Sequence, residues 1–259
     1  MTAQKTVQSP LASIWNDQQA ALYLKGIEQS DYANNVGARL LELIGPQTQL
    51  LDIGAGVGTI SREILAENAS WTAIEPNAFL VDQLKMHATS LPYQLSVLPY
   101  CWQQLNKHEL EIHDVSLAAN TSGPVYDTKT FWRWQRSLTG RLMIWIVPAQ
   151  NGPHGKCLSG FLPEHLHGET IGSSLDTILE HLGPAMQPDT ITMMDWTFRQ
   201  SFADYHQAND YFQNTFNPSA EPRLAEALSK YLDEFLQSDG NAFYATAAKK
   251  SAVLIWQFN

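Results

Sequence analysis

Apolar residues fall into two alternating rhythms along this chain. Short, mainly apolar runs occur at 50–53, 71–74, 93–98, 113–119 and 142–147, each bounded by glycine, proline or polar residues. Runs of that length and flanking chemistry predict strands, and the continuous apolar run at 142–147 predicts a central strand covered on both faces. Between them the apolar positions space at three and four. Val36, Leu40, Leu43 and Ile44 form one stripe, and Phe79, Leu80, Val81 and Leu84 form another. Phe131, Trp132 and Trp134 mark a helix over 128–138, and a further helix is predicted over 171–182. Asp31 and Asn77 stand where helix N-caps belong, while Gly45-Pro46 and Gly183-Pro184 are stop signals. Upstream, 13–30 reads as a helix carrying Trp15, Ala20, Ala21 and Tyr23, after a loose polar start at 1–10. Strand, helix, strand in repeated order predicts a doubly wound parallel sheet with helices on both faces. Beyond residue 148 the order loosens. A loop is expected over 148–169, a strand over 190–198, a helical insertion over 201–240 and a last strand over 245–258. In the insertion Leu224, Leu228, Tyr231, Leu232 and Phe235 mark one stripe, with Pro222 near its start.

The chemically telling stretch lies between the first strand and its helix: Asp52-Ile53-Gly54-Ala55-Gly56-Val57-Gly58-Thr59. Ile60, Ile64 and Leu65 follow at helical spacing. Glycine lets the backbone take unusual angles and approach a ligand closely, and the N–H groups opening a helix form a polar docking point. A second acid, Glu75, ends the next strand and is followed by Pro76-Asn77. A carboxylate at a strand tip suits a ribose, whose two hydroxyls both donate. The nicotinamide fingerprint follows similar logic but requires G-x-G-x-x-G. Here Thr59 occupies the place of its third glycine, which disfavours a nicotinamide oxidoreductase.

D-x-G-x-G-x-G followed by Glu75-Pro76-Asn77 resembles the first motif and acidic loop of the class I S-adenosylmethionine (SAM)-dependent methyltransferases, of the small-molecule type. The resemblance implies a Rossmann-like, mostly parallel seven-stranded sheet whose last strand is antiparallel, with a helical cap. It implies SAM as cofactor, held by Asp52, Gly54, Ala55, Gly56, Gly58, Glu75 and Pro76. The loop Pro99-Tyr100-Cys101-Trp102 falls where that family contacts adenine, which nominates Cys101 and Trp102, although the usual acid of this loop is missing. Trp102 or Tyr100 there could stack on the base or plug the edge of the core. Asn120, at the end of the fourth strand, is placed to face the site, because ligands of open α/β sheets bind beyond the strand carboxyl ends. The aromatic helix at the N-terminus resembles one that folds over the pocket in such enzymes, with an ordinary amphipathic helix packing its aromatics into the core as the alternative. The expected division is 1–45 as N-terminal cap, 46–200 as the SAM-binding domain, 201–240 as lid insertion and 241–259 as the final strand.

Composition narrows the partners. The 259 residues are 44% hydrophobic, ample for a sizeable core, and carry a net charge of −10. No run of Lys and Arg offers a phosphate-tracking surface, which argues against a nucleic-acid substrate. Two cysteines, Cys101 and Cys157, form no pair or zinc pattern. No signal peptide and no apolar run near the ~20 residues of a membrane span is evident. These features point to a soluble cytoplasmic protein with a small-molecule substrate and no membrane partner. Oligomeric state has no signature.

Methyl transfer from a sulfonium is an in-line displacement that positioning and desolvation can drive, so a catalytic signature is not required, and none appears. Strand four ends Ala119-Asn120-Thr121-Ser122, not in the Asn-Pro-Pro-Tyr form used on amide nitrogens, which argues against nucleobase and glutamine acceptors. His154, His165 and His167 are candidates for a general base, with a solvated loop role as the alternative. His165 and His167 lack a third ligand, so no metal site is expected. A non-catalytic binding or assembly protein of the same fold is the competing class, and the complete set of glycines and acids argues against it.

Overall fold

The computed structural model describes residues 16–88, 92–151, 161–163, 166, 173–217 and 219–259. His154, Cys157, His165 and His167 lie outside the described residues. In chain order the elements begin with α1 (Asp17–Glu28), a π-helical turn (Ala33–Gly37), α2 (Ala38–Ile44), β1 (Gln47–Ile53) and α3 (Ser61–Ile64). They continue with β2 (Leu65–Ile74), α4 (Ala78–Ala88), β3 (Gln94–Leu98), β4 (His113–Ala119), α5 (Gly123–Tyr126), α6 (Thr128–Arg136) and β5 (Thr139–Pro148). The remainder is α7 (Ser174–Leu182), β6 (Thr190–Phe202), α8 (Tyr205–Phe216), α9 (Pro222–Phe235), β7 (Gln237–Ser238) and β8 (Phe243–Gln257). No helix among the described residues is long and apolar enough to cross a membrane.

The sheet runs β3-β2-β1-β4-β5-β8-β6. β1 pairs in parallel with β2 and β4, β2 with β3, and β4 with β5, whereas β8 is antiparallel to both β5 and β6. This is the expected Rossmann-like arrangement, with one addition: the two-residue β7 pairs with β8 off the main path. Strand side chains alternate between two cores. On β5, Leu142, Ile144 and Ile146 enter one cluster and Met143, Trp145 and Val147 the other. Both sets are buried, which is why the run carries no polar alternation. The second core holds a closed polar chain. Trp145 Nε1 donates to Gln135 Oε1 at 2.6 Å, Gln135 Nε2 donates to Ser116 Oγ at 2.9 Å, and Ser116 meets Thr139 at 2.6 Å. Its members are satisfied within the chain, as buried polar groups must be.

Two departures from the sequence expectation bear on the site. The helix after the glycine turn is a single turn, and Leu65, expected to continue it, opens β2 instead. Asn68 takes a left-handed φ of 63° inside that strand and the β1–β2 register shifts there, so the extra length is absorbed as a bulge. Asp31 does not cap the helix that follows it. Its Oδ1 accepts the Thr197 N–H at 2.6 Å, tying the N-terminal segment to β6.

β6 and β8 run past the sheet. β5 ends opposite Ser251, yet the β6–β8 ladder continues from Asp195–Lys250 to Phe202–Phe243. β6 thus reaches beyond the expected boundary at residue 200. This projecting arm carries α8 and α9 and packs against α1. Gly26 makes that contact close: a Cβ there would lie 2.3 Å from Phe198 Cζ. Tyr32 lies against Trp196 at 4.5 Å between ring centroids, and Phe212 packs among Phe161, Phe202, Tyr211 and Phe216. Tyr231 Oη donates to the Phe161 carbonyl at 3.1 Å.

Candidate active site

At the carboxyl ends of the parallel strands lies a cavity of about 530 Å³. That is within the ~300–1,000 Å³ usual for small-molecule sites. Its floor is the glycine turn. Gly54, Gly56 and Gly58 have φ of 71°, 57° and 73°, a region costly for residues with a Cβ. The three do different work. A Cβ on Gly54 would meet Thr121 Oγ1 at 2.6 Å, so β4's exit loop closes down on it. A Cβ on Gly56 would meet nothing within 4 Å. A Cβ on Gly58 would lie 2.2 Å from the Trp71 ring, and Gly58 is not among the residues lining the cavity. It serves packing between the turn and β2.

Glu75 organises the turn. Its Oε2 accepts the Gly56 N–H at 2.8 Å and its Oε1 accepts the Asn77 N–H at 2.8 Å. Asn77 in turn caps α4, as expected, by accepting the Leu80 N–H at 3.0 Å. Glu75 is only 6% exposed. The strand-tip position therefore does not leave it outside the core. Burial pushes its pKa up, against the downward pull of the two backbone hydrogen bonds. Asp52, 2% exposed, accepts from Ser61 Oγ at 2.5 Å. Burial raises its pKa to about 7; the Ser61 hydroxyl opposes that shift and the Glu75 charge adds to it. The Trp71 indole N–H, which has no partner at hydrogen-bonding geometry, exerts a weaker downward pull.

The remaining sequence candidates line the same cavity: Ala55, Pro76, Cys101, Trp102 and Asn120. Trp102 is mostly core, 7% exposed, edge-on to Phe131 at 5.1 Å and against Trp134 at 5.4 Å. Tyr100, by contrast, is 48% exposed. Cys101 caps the following turn, and burial and the Glu75 charge both raise its thiol pKa. Asn120 holds a left-handed φ of 53° and donates from Nδ2 to Tyr32 Oη at 2.8 Å.

Sequence reasoning did not find Tyr32, Gln19, Ser61 or Tyr126, which also line the cavity. Tyr32 sits at the N-terminal edge of the π-helical turn, a local irregularity without a sequence signature. Gln19 and Tyr23 come from α1, which therefore contributes to the lining of the pocket.

No family model and no curated protein matches the sequence. Solved structures do match. A candidate methyltransferase from Bacillus halodurans C-125 superposes with a TM-score of 0.50 at 10% identity, over 86% of this chain and 98% of that one. A candidate type II methyltransferase from Anaeromyxobacter dehalogenans gives 0.49 at 13% identity, over 85% and 94%. A SAM-dependent methyltransferase from Aquifex aeolicus gives 0.46 at 16% identity, over 66% and 89%. With strand order, antiparallel β8 and a glycine turn at the β1 carboxyl end, the chain has the Rossmann-like fold of the class I SAM-dependent methyltransferases.

Proposed function

We propose that this protein is a SAM-dependent methyltransferase acting on a small-molecule acceptor in the cytoplasm. One observation carries the reading: Glu75, buried at the tip of β2, is held by the turn containing Gly56 and still faces the cavity. Each carboxylate oxygen accepts one backbone N–H, and a carboxylate oxygen has room for a second donor. Both ribose hydroxyls of the cofactor can thus be met without undoing the turn. The open space beyond Gly56 is a cradle that any side chain would fill. Tyr100, half-exposed after β3, is better placed to cover the adenine than Trp102, whose ring is engaged in the core.

When bound, SAM supplies an activated methyl group on a sulfonium. This chain's part is to hold the reactants in line and keep water away. Gln19, Tyr23 and Leu24 of α1 close one side, and the Tyr32–Asn120 pair joins this cover to the end of β4. We assign residues 201–240 and the N-terminal helices to a cap over the acceptor. Asp52 and Glu75 give the pocket negative character suited to a cationic cofactor.

Isothermal titration with SAM and S-adenosylhomocysteine (SAH) is the primary test. Saturable binding of both, with labelled methyl transfer into the small-molecule fraction of a lysate, is expected. No saturable SAH binding at millimolar concentration would sink the reading.

A further inference from the structure

Beyond the turn, the described lining of the cavity is apolar, aromatic and neutral polar. Four tyrosines line it: Tyr23 from α1, Tyr32 before α2, Tyr100 after β3 and Tyr126 at the end of α5. Tyr100 and Tyr126 are 48% and 69% exposed, so their rings form the mouth, whereas Tyr32 is buried at 3%. The polar groups among them are neutral: Gln19, Asn120, Thr121, Ser122 and Ser174. Among the described lining residues there is no Lys, Arg or His, and the two charges present, Asp52 and Glu75, are both carboxylates of the turn. The whole chain adds a net charge of −10.

We propose that the acceptor is a flat-ringed molecule without a phosphate or carboxylate, taken against the rings of Tyr23, Tyr32 and Tyr126, with Tyr100 left to the adenine, and oriented by the Tyr32–Asn120 pair. This rests on the methyltransferase reading of the same site. A buried anion needs a cation or several N–H donors to replace its water, and this half of the cavity offers neutral amides and hydroxyls instead. The protein's own field opposes the approach of an anion as well. A neutral ring gains on both counts. It buries apolar area against tyrosine faces, and its one polar substituent meets side chains that both donate and accept. The Asn120–Tyr32 hydrogen bond at 2.8 Å fixes those two side chains before any acceptor arrives.

The test uses the full-length protein saturated with SAH, titrated with indole and with indole-3-carboxylate, and with phenol and phenyl phosphate. Ligand-observed NMR reads the affinities. Prior titration with SAH separates the two readings: no SAH binding sinks both, whereas SAH binding without the selectivity below sinks only this one. Expected is saturable binding of the neutral member of each pair, at least tenfold tighter than its anionic counterpart. Tyr32→Phe should weaken the phenol at least threefold and by more than it weakens SAH. Tyr126→Arg, at an exposed position safe for folding, should narrow the indole pair's gap by several-fold at low salt. Equal or tighter binding of the anions, or no ring binding to the SAH complex, would overturn the proposal. A Tyr126→Arg variant with an unchanged gap would also overturn it, by placing the rings away from that mouth.

Discussion

On the turn side of the cavity, polar contacts join residues close in sequence. Glu75 accepts from Asn77 two residues on and from Gly56 nineteen back, and Asp52 accepts from Ser61 nine residues on. On the cap side, Asn120 reaches Tyr32 across 88 residues, Tyr231 reaches Phe161 across 70, and Asp31 reaches Thr197 across 166. The first half is fixed by backbone angles and a few hydrogen bonds that only certain residues permit. The second is assembled by aromatic packing, where many large apolar side chains would serve. Damage to the cap should therefore appear as lost stability, and damage to the turn as lost ligand affinity.

The largest effect is expected in the cap. Phe212 is fully buried among Phe161, Phe202, Tyr211 and Phe216. Phe212→Ala should cost about 3–5 kcal/mol by cavity formation. Denaturant unfolding would report it, with SAH affinity of the remaining folded protein within about threefold of wild type, less than ~0.7 kcal/mol. A parallel collapse of SAH affinity would show that the two halves are one unit.

Within the turn the glycines should separate. Gly58→Ala forces a Cβ into Trp71 at a positive φ, and overpacking plus backbone strain should total about 2–5 kcal/mol. Gly56→Ala meets no neighbour and should cost only the strain of its φ, about 1–2 kcal/mol. Yet its methyl enters the proposed cradle and should weaken SAH at least tenfold, about 1.4 kcal/mol. Melting temperatures and SAH titrations of both variants test this. Equal stability losses would mean that Gly58 is not the packing glycine.

This contrast also explains what the sequence made legible. D-x-G-x-G-x-G and Glu75 announce themselves because their angles and spacing admit few alternatives, and the β5 run does so because both its faces are buried. Tyr32 had no such mark, since its partner Asn120 lies 88 residues away and its own conformation is a π-helical irregularity. Asp31 looked like a helix cap because its sequence neighbours fit one, but a β6 N–H took the side chain instead. Glu75's burial was hidden too, since the Gly56 N–H that holds it comes from nineteen residues back in the chain.

Glu75→Gln sharpens the turn side further. The amide keeps one acceptor oxygen for backbone and removes a charge that burial disfavours, so melting should move by only a few degrees, a change of ~1 kcal/mol. Hydrogen bonds from ribose to a charged acceptor contribute about 1.5–3 kcal/mol. SAM and SAH should therefore weaken together by roughly ten- to a hundredfold. Titration of both ligands checks this, and unchanged affinity would remove Glu75 from the proposed ribose site.

The smallest effect is a pH dependence carried by Asp52. Its pKa in the folded protein is about 7, raised chiefly by burial from an ordinary value of 3.8. The folded state therefore binds more protons than the unfolded state between those values. The stability tied to a neutral Asp52 is fully present below 3.8 and is lost as pH rises through about 7. Ligand binding runs the other way. SAM brings a sulfonium and an ammonium into a cavity lined by Asp52 and Glu75, so it favours the ionised carboxylate. A ligand that binds only the ionised form should gain roughly tenfold in affinity between pH 5.5 and 7.0. That window stays below the ~7.7–8.0 where an α-amino group begins to lose its own charge. Asp52→Asn should flatten this slope, and should also remove the fall in melting temperature of the empty protein over pH 4 to 7. Burial raises Glu75 in the same direction, so a residual slope in Asp52→Asn is assigned to it and should vanish in the double variant with Glu75→Gln. A slope identical in wild type and Asp52→Asn would show that the first acid of the motif is held there for its bond to Ser61 and not for the charge of the ligand.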